Sequence, residues 1–501
     1  MGRRLMVDLA RATVLVAGLG ITGRAVVGVL QTRAGAVLTL DADAPDADHR
    51  DITDVDLTAV DVVVVSPGWR PTHPALVAAQ AAGVPVWSEI ELAWHLRTPV
   101  TATGEPAPWL ALTGTNGKTT TVEMLAAILT ADGQRAAAVG NVGRPLIEAV
   151  VDPELDVLAI ELSSFQLHFT TSMSAEVAAV LNVAPDHIDW HGSFEDYTLD
   201  KGRIYSHAQV ACVYNAQDQL TEDLVVAADV VEGARAVGFT LGAPGRAQLG
   251  VVDSILVDRA FHTPANDPKR HTFAAEIGSL DDLAHLAGPD GVVPAHVVAD
   301  ALAAAALARG HGVSAAAVRD GLRAFTPGGH RIQTVAVAPA LAPASPGTEA
   351  PDAAAQDEPR PVSFVDDSKA TNAHAAAASL ASFAPGSVVW IAGGLAKGAT
   401  FDALVEDRGD RLRAVVLIGV DHHELSEALA RHAGDIPVVE VDPGDTGTVM
   451  QRAVDQAYQL ARPGDTVLLA PACASMDQFA SYAERGRAFT DEAVRIASAA
   501  G

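Results

Sequence analysis

The chain has 501 residues, of which 49% are hydrophobic, 19% are charged and 5% are aromatic. This is the composition of a globular protein, and at about 150 residues per domain it predicts roughly three domains. The 62 acidic and 34 basic side chains give a net charge of −28, which repels nucleic-acid phosphates and anionic lipids and argues against binding to either.

The sequence also argues against export and membrane insertion. Two cysteines, Cys212 and Cys473, cannot build a disulfide framework. The start Met1-Gly-Arg-Arg resembles the first part of a signal peptide, but Asp8 and Arg11 interrupt the apolar run that follows it. No uncharged run approaches the ~20 residues that cross a bilayer. We therefore expect a cytoplasmic protein without membrane insertion.

Short β-branched runs alternate with Ala/Leu-rich helical stretches along the whole chain, which is typical of parallel sheets covered by helices. We predict three consecutive α/β domains: a Rossmann-like domain at 1–100, a phosphate-loop ATPase domain at 101–326 and a Rossmann-like domain at 327–501. An Ala/Pro/acidic segment at 338–360 is expected to be a solvated loop between two strands. Residues 216–292 have a weak pattern, and we leave them unassigned.

Strands and helices are predicted from these runs in chain order. The predicted strands are 13–18, 37–41, 62–66, 84–87, 109–113, 156–162, 178–182, 210–215, 362–366, 388–393, 414–419, 438–441 and 466–470. The predicted helices include 23–31, 119–131, 294–309 and 315–325.

A first glycine motif, Gly18-Leu-Gly20-Ile-Thr-Gly23, follows the first predicted strand and opens a helix, and Asp41 ends the next strand. This is the spacing of a dinucleotide site, in which glycines let the backbone approach a diphosphate and the helix N-terminus attracts its charge. A tight strand–helix turn without a ligand is the alternative. The motif does not specify NAD, because any nucleotide diphosphate meets the same physics.

A second glycine motif, Gly114-Thr-Asn-Gly117-Lys118-Thr119-Thr120, lies between a predicted strand and a predicted helix. Leu112 stands where a standard Walker A sequence needs glycine. The loop still offers amides for phosphate oxygens, Lys118 for the β/γ charge and the Thr119 hydroxyl for Mg²⁺, although a bare glycine turn is an alternative. Two such loops predict two phosphorylated ligands, which favours ATP-driven chemistry on a nucleotide-linked substrate over hydride transfer.

At these loops the sequence resembles the Mur ligase family, the ATP-dependent amide-forming enzymes of peptidoglycan precursor synthesis. The resemblance extends from about residue 13 to about residue 490. The motifs of the middle part are Gly114–Thr120, Glu161-Leu-Ser-Ser-Phe-Gln166, Asn182-Val-Ala-Pro-Asp-His187-Ile-Asp189 and Lys201-Gly-Arg-Ile-Tyr205. Three C-terminal motifs resemble the D-glutamate-adding branch: Asp367-Ser-Lys-Ala-Thr-Asn372, Gly393-Gly-Leu-Ala-Lys397-Gly398 and Pro471-Ala-Cys-Ala-Ser-Met-Asp-Gln-Phe479.

The resemblance implies addition of D-glutamate to UDP-N-acetylmuramoyl-L-alanine through an acyl phosphate, by a monomer that serves cell-wall synthesis and hence cell shape and division. It implies four catalytic residues, namely Lys118, Glu161, His187 and Lys201. The implied ATP site comprises Gly114, Thr115, Asn116, Gly117, Lys118, Thr119, Thr120, Arg331, Asp367 and Lys369.

The resemblance also implies two Mg²⁺ sites. Thr119 and Glu161 are the expected ligands of one ion, and His187 is an expected ligand of the other. An ammonium beside Mg²⁺ would be repelled, but in the family the lysine at the position of Lys201 is carbamylated by CO₂ and becomes an anion. From the residues alone, Lys201 reads as an exposed helical lysine, and a structural role for His187 stays open.

The resemblance further implies two substrate sites. The UDP part is expected at Gly20, Ile21, Thr22, Asp41, Ser66, Pro67 and Gly68, with Asn141 and His187 at the sugar-peptide. D-Glutamate is expected at Thr371, Lys397, Ser475, Met476 and Tyr482. From its glycine-rich turn alone, a solvated lysine stays open as the alternative for Lys397.

This chain departs from the family pattern at His296-Val-Val-Ala-Asp300, where the family often has His-Asn-x-x-Asn on the helix that touches adenine. Val297 cannot hydrogen-bond a base, and the Asp300 carboxylate accepts but cannot donate. Tyr482 also replaces an expected phenylalanine. The altered helix leaves a catalytically impaired UDP-sugar-binding relative open as an alternative function. The first glycine motif leaves an NAD-linked oxidoreductase open as well, although that function would leave the second loop unexplained.

Overall fold

The computed structural model describes residues 7–264, 267–288, 291–341, 360–444 and 447–500. Within these ranges the strands form three sheets, of four, nine and six strands. The α/β fold class is therefore confirmed. Among the described helices, none combines the length and the apolar character that crossing a bilayer requires.

The first sheet is parallel throughout, with the strand order β2-β1-β3-β4. Its elements are β1 (Thr13–Ala17), α1 (Ile21–Leu30), β2 (Ala36–Leu40), β3 (Val62–Val65), α2 (Pro74–Ala81), β4 (Val86–Ser88) and α3 (Glu89–Leu96). Because β1 lies between β2 and β3, the glycine loop after β1 is at the point where the strand order reverses, which is where such sheets bind ligands.

The second sheet has the order β13-β12-β11-β10-β9-β8-β5-β7-β6. Its strands are β5 (Trp109–Thr113), β6 (Ala136–Gly140), β7 (Val157–Glu161), β8 (Val177–Val180), β9 (Ala211–Asn215), β10 (Arg235–Phe239), β11 (Gln248–Val252), β12 (Ile255–Asp258) and β13 (Ala275–Ser279). The helices of this part are α4 (Lys118–Ala131), α5 (Leu146–Ala149), α6 (Ser164–His168), α7 (Ile188–His191), α8 (Phe194–Gly202), α9 (Gln219–Val226), α10 (Ala295–His311) and α11 (Ala315–Ala324).

The second sheet explains why residues 216–292 resist assignment from sequence. The segment contains α9 and the short strands β10 to β13, and β12 pairs antiparallel with both β11 and β13. The central strand β5 is buried at every residue, as expected for a parallel strand covered on both faces. Runs that are apolar and buried throughout, such as β5, are clear in the sequence, whereas strands with exposed residues, such as β11 and β12, are not.

The third sheet has the order β14-β15-β19-β16-β17-β18 and is parallel except for the β14–β15 pair. Its elements are β14 (Gln333–Ala338), β15 (Val362–Asp366), α12 (Ala373–Leu380), β16 (Val388–Gly393), α13 (Asp402–Arg408), β17 (Leu412–Ile418), α14 (His423–His432), β18 (Val438–Glu440), α15 (Val449–Leu460), β19 (Thr466–Leu469) and α16 (Tyr482–Ala500). The insert predicted at 338–360 is flanked by β14 and β15 as expected, and its residues 342–359 lie outside the described residues.

The chain divides into two compact units, one of Met1–His285 with Ala295–Phe325 and one of Leu286–Pro294 with Thr326–Gly501. The first unit holds the first two sheets, and one cluster of buried apolar residues has members in both, such as Val14 and Leu158. The domain boundaries at residues 100 and 326 stay predictions.

Candidate functional site

The second glycine loop joins β5 to α4 and is held by its own side chains. Gly117, the residue before α4, has φ +80°, a left-handed conformation that favours glycine. Lys118 Nζ donates to the carbonyl oxygens of Gly114 at 3.0 Å and Thr115 at 2.9 Å. The Asn182 side chain accepts from Asn116 N at 2.8 Å and donates to Asn116 O at 3.1 Å. The loop is thus ordered at a helix N-terminus, where an anion binds favourably.

Glu161 ends β7, the strand beside β5, and is 2% exposed. Its Oε1 atom accepts from Asn141 Nδ2 at 3.0 Å, whereas its Oε2 atom is buried and has no hydrogen-bond partner among the described residues. A buried carboxylate oxygen without a donor costs on the order of 1–3 kcal/mol, which a bound cation offsets. The Glu161 carboxylate and the hydroxyl of Thr119, the second residue of α4, are oxygen donors of the kind that Mg²⁺ prefers.

Lys201 lies in the last turn of α8 and is 2% exposed, so the interpretation as an exposed helical lysine is wrong. Its Nζ atom donates to Gly114 O at 2.8 Å, the same carbonyl that accepts from Lys118. The ammonium is 4.5 Å from the centroid of the Tyr197 ring. Burial lowers the pKa of Lys201 well below its ordinary value, and the charge on Lys118 lowers it further.

His187 precedes α7 with φ +53°, an uncommon conformation for a residue other than glycine. Its ring meets the Phe165 ring edge-on at 4.8 Å between centroids. β8, β5 and β7 are adjacent and parallel, so their carboxyl ends lie at one edge of the sheet. This edge carries His187, Glu161 and the second glycine loop, which we call the phosphate loop. Within the described ranges, no group of three or more His, Cys, Asp and Glu side chains could hold a metal alone.

Side chains that follow the two neighbouring strands, β2 and β3, form hydrogen bonds with the first glycine loop. Asp41 Oδ2 accepts from Leu19 N at 2.7 Å, and Ser66 Oγ donates to Gly18 O at 2.9 Å. The hydrogen bond from Leu19 N lowers the pKa of Asp41, which keeps its carboxylate ionised. Ile21 at the start of α1 is 84% exposed, so the loop is open to solvent. The contacts of Asp41 and Ser66 with a nucleoside stay predictions.

Three loops of the third sheet meet in the second unit. Leu395 and Ala474 exchange two backbone hydrogen bonds, of 2.9 and 3.0 Å, and Ala472 N donates to Ala370 O at 2.9 Å. These contacts join the loops that carry three expected D-glutamate ligands, namely Thr371, Lys397 and Ser475. The buried Arg485 reinforces the junction by donating to Ser368 O at 2.9 Å and Cys473 O at 3.1 Å.

Comparison with known proteins decides the family. Residues 112–263 match the Mur ligase middle domain, and residues 354–473 match the Mur ligase glutamate ligase domain. A UDP-N-acetylmuramoylalanine–D-glutamate ligase of Streptomyces avermitilis is 54% identical over 498 residues, covering 96% of this chain and 97% of that protein. A ligase of the same name from Bifidobacterium adolescentis is 47% identical, with the same coverage of both chains. The chain belongs to the Mur ligase family.

Solved structures agree with the fold of this Mur ligase. The UDP-N-acetylmuramate–alanine ligase of Thermotoga maritima aligns with a TM-score of 0.52 at 16% identity, covering 97% of this chain and 99% of that one. A pseudomurein peptide ligase of Methanothermus fervidus aligns with a TM-score of 0.54 at 15% identity, covering 96% and 100%. At such identities the likeness shows a common fold.

The remaining residues expected at the D-glutamate and ATP sites of this Mur ligase differ in exposure. Met476 is 72% exposed and Tyr482 is 36% exposed. Lys369, expected near ATP, has its Nζ atom 5.2 Å from the centroid of the Tyr482 ring. Asp367 is buried, and burial raises its pKa to about 7. These assignments, like that of Arg331, stay predictions.

Two carboxylates at the phosphate-loop site of this Mur ligase were not predicted as site residues. The buried Asp300 on α10 lies against Gly117, and sequence reasoning noted it only as a departure from the family motif. Asp200 precedes Lys201 and is 4% exposed. Its burial would raise its pKa, but hydrogen bonds from His168 and His191 outweigh that effect and lower the pKa to about 2. Nothing in the local sequence distinguishes Asp200 from an ordinary surface aspartate.

Proposed function

We propose that this Mur ligase joins D-glutamate to UDP-N-acetylmuramoyl-L-alanine with ATP, through an acyl phosphate, as a step of peptidoglycan precursor synthesis. The observation that carries the proposal is the convergence of the phosphate loop, Glu161 and His187 at one edge of the second sheet, with the buried Lys201 bonded to the same loop. The choice of substrates is supported by the relatives of that name, which are 45–54% identical.

The reaction needs an activated carboxyl group. A carboxylate is a poor electrophile, so phosphoryl transfer from ATP first makes an acyl phosphate and ADP. The amine then attacks the acyl carbon, and the tetrahedral intermediate expels phosphate. Because charge accumulates on the transferred phosphoryl group, catalysis depends on positioning and on cations. In this chain the amides of the loop and the N-terminus of α4 bind the phosphates, and Lys118 supplies positive charge.

The residues present fit two magnesium ions. Thr119 and Glu161 would hold one ion, and His187 with a carbamylated Lys201 would hold the other. Bound Mg²⁺ neutralises phosphate charge and orients the carboxyl oxygen of the acceptor. Carbamylation needs a neutral amine, and burial, which lowers the pKa of Lys201, favours the neutral form.

The two substrates occupy different parts of the chain in this proposal. The UDP part binds at the first glycine loop, where Gly20 and Ile21 are exposed and α1 begins. D-Glutamate binds at the three joined loops of the second unit, where Lys397 pairs with a carboxylate and Thr371 and Ser475 donate hydrogen bonds. The enzyme works as a monomer in the cytoplasm, where its nucleotide substrates are made.

The direct test is phosphate release by the purified protein with ATP, Mg²⁺, bicarbonate and UDP-N-acetylmuramoyl-L-alanine, across a panel of amino acids. We expect release with D-glutamate and little with L-glutamate or other amino acids. Binding of the UDP-sugar without phosphate release would instead identify an impaired relative. A change in nicotinamide absorbance without ATP would identify an oxidoreductase.

A further inference from the structure

The buried Asp200 lies at the centre of a partly exposed hydrogen-bond cluster beside Lys201. Its Oδ2 atom accepts from His168 Nδ1 at 2.8 Å and from His191 Nδ1 at 2.9 Å. Its Oδ1 atom accepts from Arg203 Nε at 2.8 Å. The donors come from α6, α7 and the turn after α8, so one carboxylate joins three separate elements.

The cluster fixes the tautomers of both histidines. An ionised carboxylate only accepts hydrogen bonds, so Nδ1 carries the proton in His168 and in His191. The Nε2 atom of a neutral His191 is then an acceptor, and Ser164 Oγ lies 3.0 Å from it. The chain of hydrogen bonds therefore runs from Asp200 through His191 to Ser164, at the first turn of the helix that follows Glu161.

The same cluster reaches His187 through ring contacts. The Phe165 ring stacks on the His191 ring at 5.5 Å and meets the His187 ring at 4.8 Å between centroids. Asp200 therefore contacts, directly or through one neighbour, each of the segments that carry Glu161, His187 and Lys201. The opposite charges of Asp200 and Arg203 cancel, so the cluster adds no net charge beside these residues when the histidines are neutral.

We propose that Asp200 is a positioning residue, which ties α6, α7 and α8 together and so fixes the arrangement of Glu161, His187 and Lys201 that binds Mg²⁺ and the acceptor carboxylate. This inference rests on the proposed function. Asp200 does not contact a substrate in this role. It acts through His191 and through the backbone of Lys201, in the way that residues behind metal ligands hold those ligands in place.

The test uses Asp200→Asn, with Asp196→Asn on the exposed face of the same helix as its control. An amide must donate from one of its two ends, so at least one of the three donors loses its acceptor. We expect nitrogen NMR to show Nδ1–H in both histidines of the parent. In Asp200→Asn either at least one histidine changes to Nε2–H, because the amide NH₂ faces it, or the amide oxygen faces both histidines and the Arg203 Nε–H resonance shifts because it has lost its acceptor. A parent-like spectrum for all three donors would contradict the cluster. Asp196→Asn should keep the parent spectrum.

Binding and kinetics separate positioning from general damage. In Asp200→Asn we expect the KM values for Mg²⁺ and for UDP-N-acetylmuramoyl-L-alanine to rise about 10- to 100-fold. The KM for D-glutamate, which binds in the second unit, should stay unchanged. Equal rises for all three, or none in a folded variant, would overturn the proposal.

A second variant covers the case in which Asp200→Asn fails to fold. His191→Asn keeps an N–H group toward Asp200 but breaks the link to Ser164, so it should raise the same two KM values by a smaller factor. Unchanged values in that variant would also count against positioning. If the parent protein does not respond to D-glutamate, the proposed function fails. The histidine tautomers and the affinity for Mg²⁺ with a nonhydrolysable ATP analogue still test the role of Asp200.

Discussion

The Asp300 carboxylate lies against Gly117 so closely that a Cβ atom added to the glycine would overlap Asp300 Oδ1. Gly117 is the last residue before α4, and Asp300 is on α10, which is buried from Asp300 to Ala308. A negative charge therefore lies beside the loop that we assign to the triphosphate. This relationship restricts the residue at position 117, and we expect it to affect the affinity for nucleotide.

Replacement of Gly117 by alanine should lower the rate of ATP-dependent phosphate release to about 1% of the parent rate. A misplacement of reacting groups by about 1 Å costs roughly 100-fold in rate. The left-handed conformation alone costs alanine about 1–2 kcal/mol, and the overlap with Asp300 displaces the loop. Gly133→Ala is the matched control, since Gly133 follows the other end of α4 with φ +86° and open space around it. Both variants should lose stability in urea unfolding, but only Gly117→Ala should lose activity.

Asp300→Asn should lower the KM for ATP about three- to tenfold, because it removes a negative charge from the neighbourhood of the phosphates while keeping the size of the side chain. The kcat value should change little. The effect should shrink as salt is added, since ions screen the charge. Asp320→Asn, on the exposed side of α11, should have no such effect. A higher KM for ATP in Asp300→Asn would show that the carboxylate helps to bind the nucleotide.

Lys201→Ala should nearly abolish turnover, since it removes both the donor to Gly114 O and the amine proposed to carry the carbamate. Lys201→Arg distinguishes the two roles. A guanidinium keeps the positive charge and a donor but cannot be carbamylated, so this variant should be equally inactive, with or without added bicarbonate. Near-normal turnover by either variant would remove the carbamate from the mechanism.

The raised pKa of Glu89 should make the free energy of unfolding depend on pH. This side chain is buried, and burial raises its pKa to about 7 from 4.5 in spite of the hydrogen bond from Ile147 N. The folded state therefore binds a proton that the unfolded state releases, and stability falls as pH rises from 4.5 to 7. Relative to Glu89→Gln, the parent should lose about 3 kcal/mol of unfolding free energy across this window.

The measurement for Glu89 is urea unfolding of the parent and Glu89→Gln at pH 5 and pH 8. Comparison with the variant removes the contributions of all other titrating groups. Glu232→Gln, on an exposed loop, should show the same pH dependence as the parent. An equal dependence in Glu89→Gln would mean that Glu89 is ionised in the folded state at both pH values.

The parts of the fold that sequence predicts are those with strong local patterns. Buried runs such as Trp109–Thr113 and Val388–Gly393 identify strands by composition alone, and the turn at Gly117 follows from its glycine. Bounds shift by one or two residues because end residues such as Ser66 and Asp41 bond to loops and leave the strand ladder. The antiparallel edge beyond β10 is built of short, half-exposed strands and has no comparable signal.

The site was predictable as a set of motifs but not as a set of contacts. Glu161 follows an apolar strand, so its place at the sheet edge could be predicted. The burial of Lys201 depends on how α8 packs, and its helix is polar in sequence, so local pattern pointed to an exposed residue. Asp200 and Asp300 acquire partners only through tertiary packing, from residues distant along the chain.

One consequence of the Lys118 contacts concerns the release of product. In this structure the lysine donates to two carbonyl groups of its own loop, at 3.0 and 2.9 Å. A nucleotide that recruits the ammonium therefore exchanges existing contacts for new ones, and its net gain in affinity is smaller than the count of new contacts suggests. Once a nucleotide departs, the same two carbonyl oxygens are in place to accept from the lysine again, so release of product would leave the ammonium with partners.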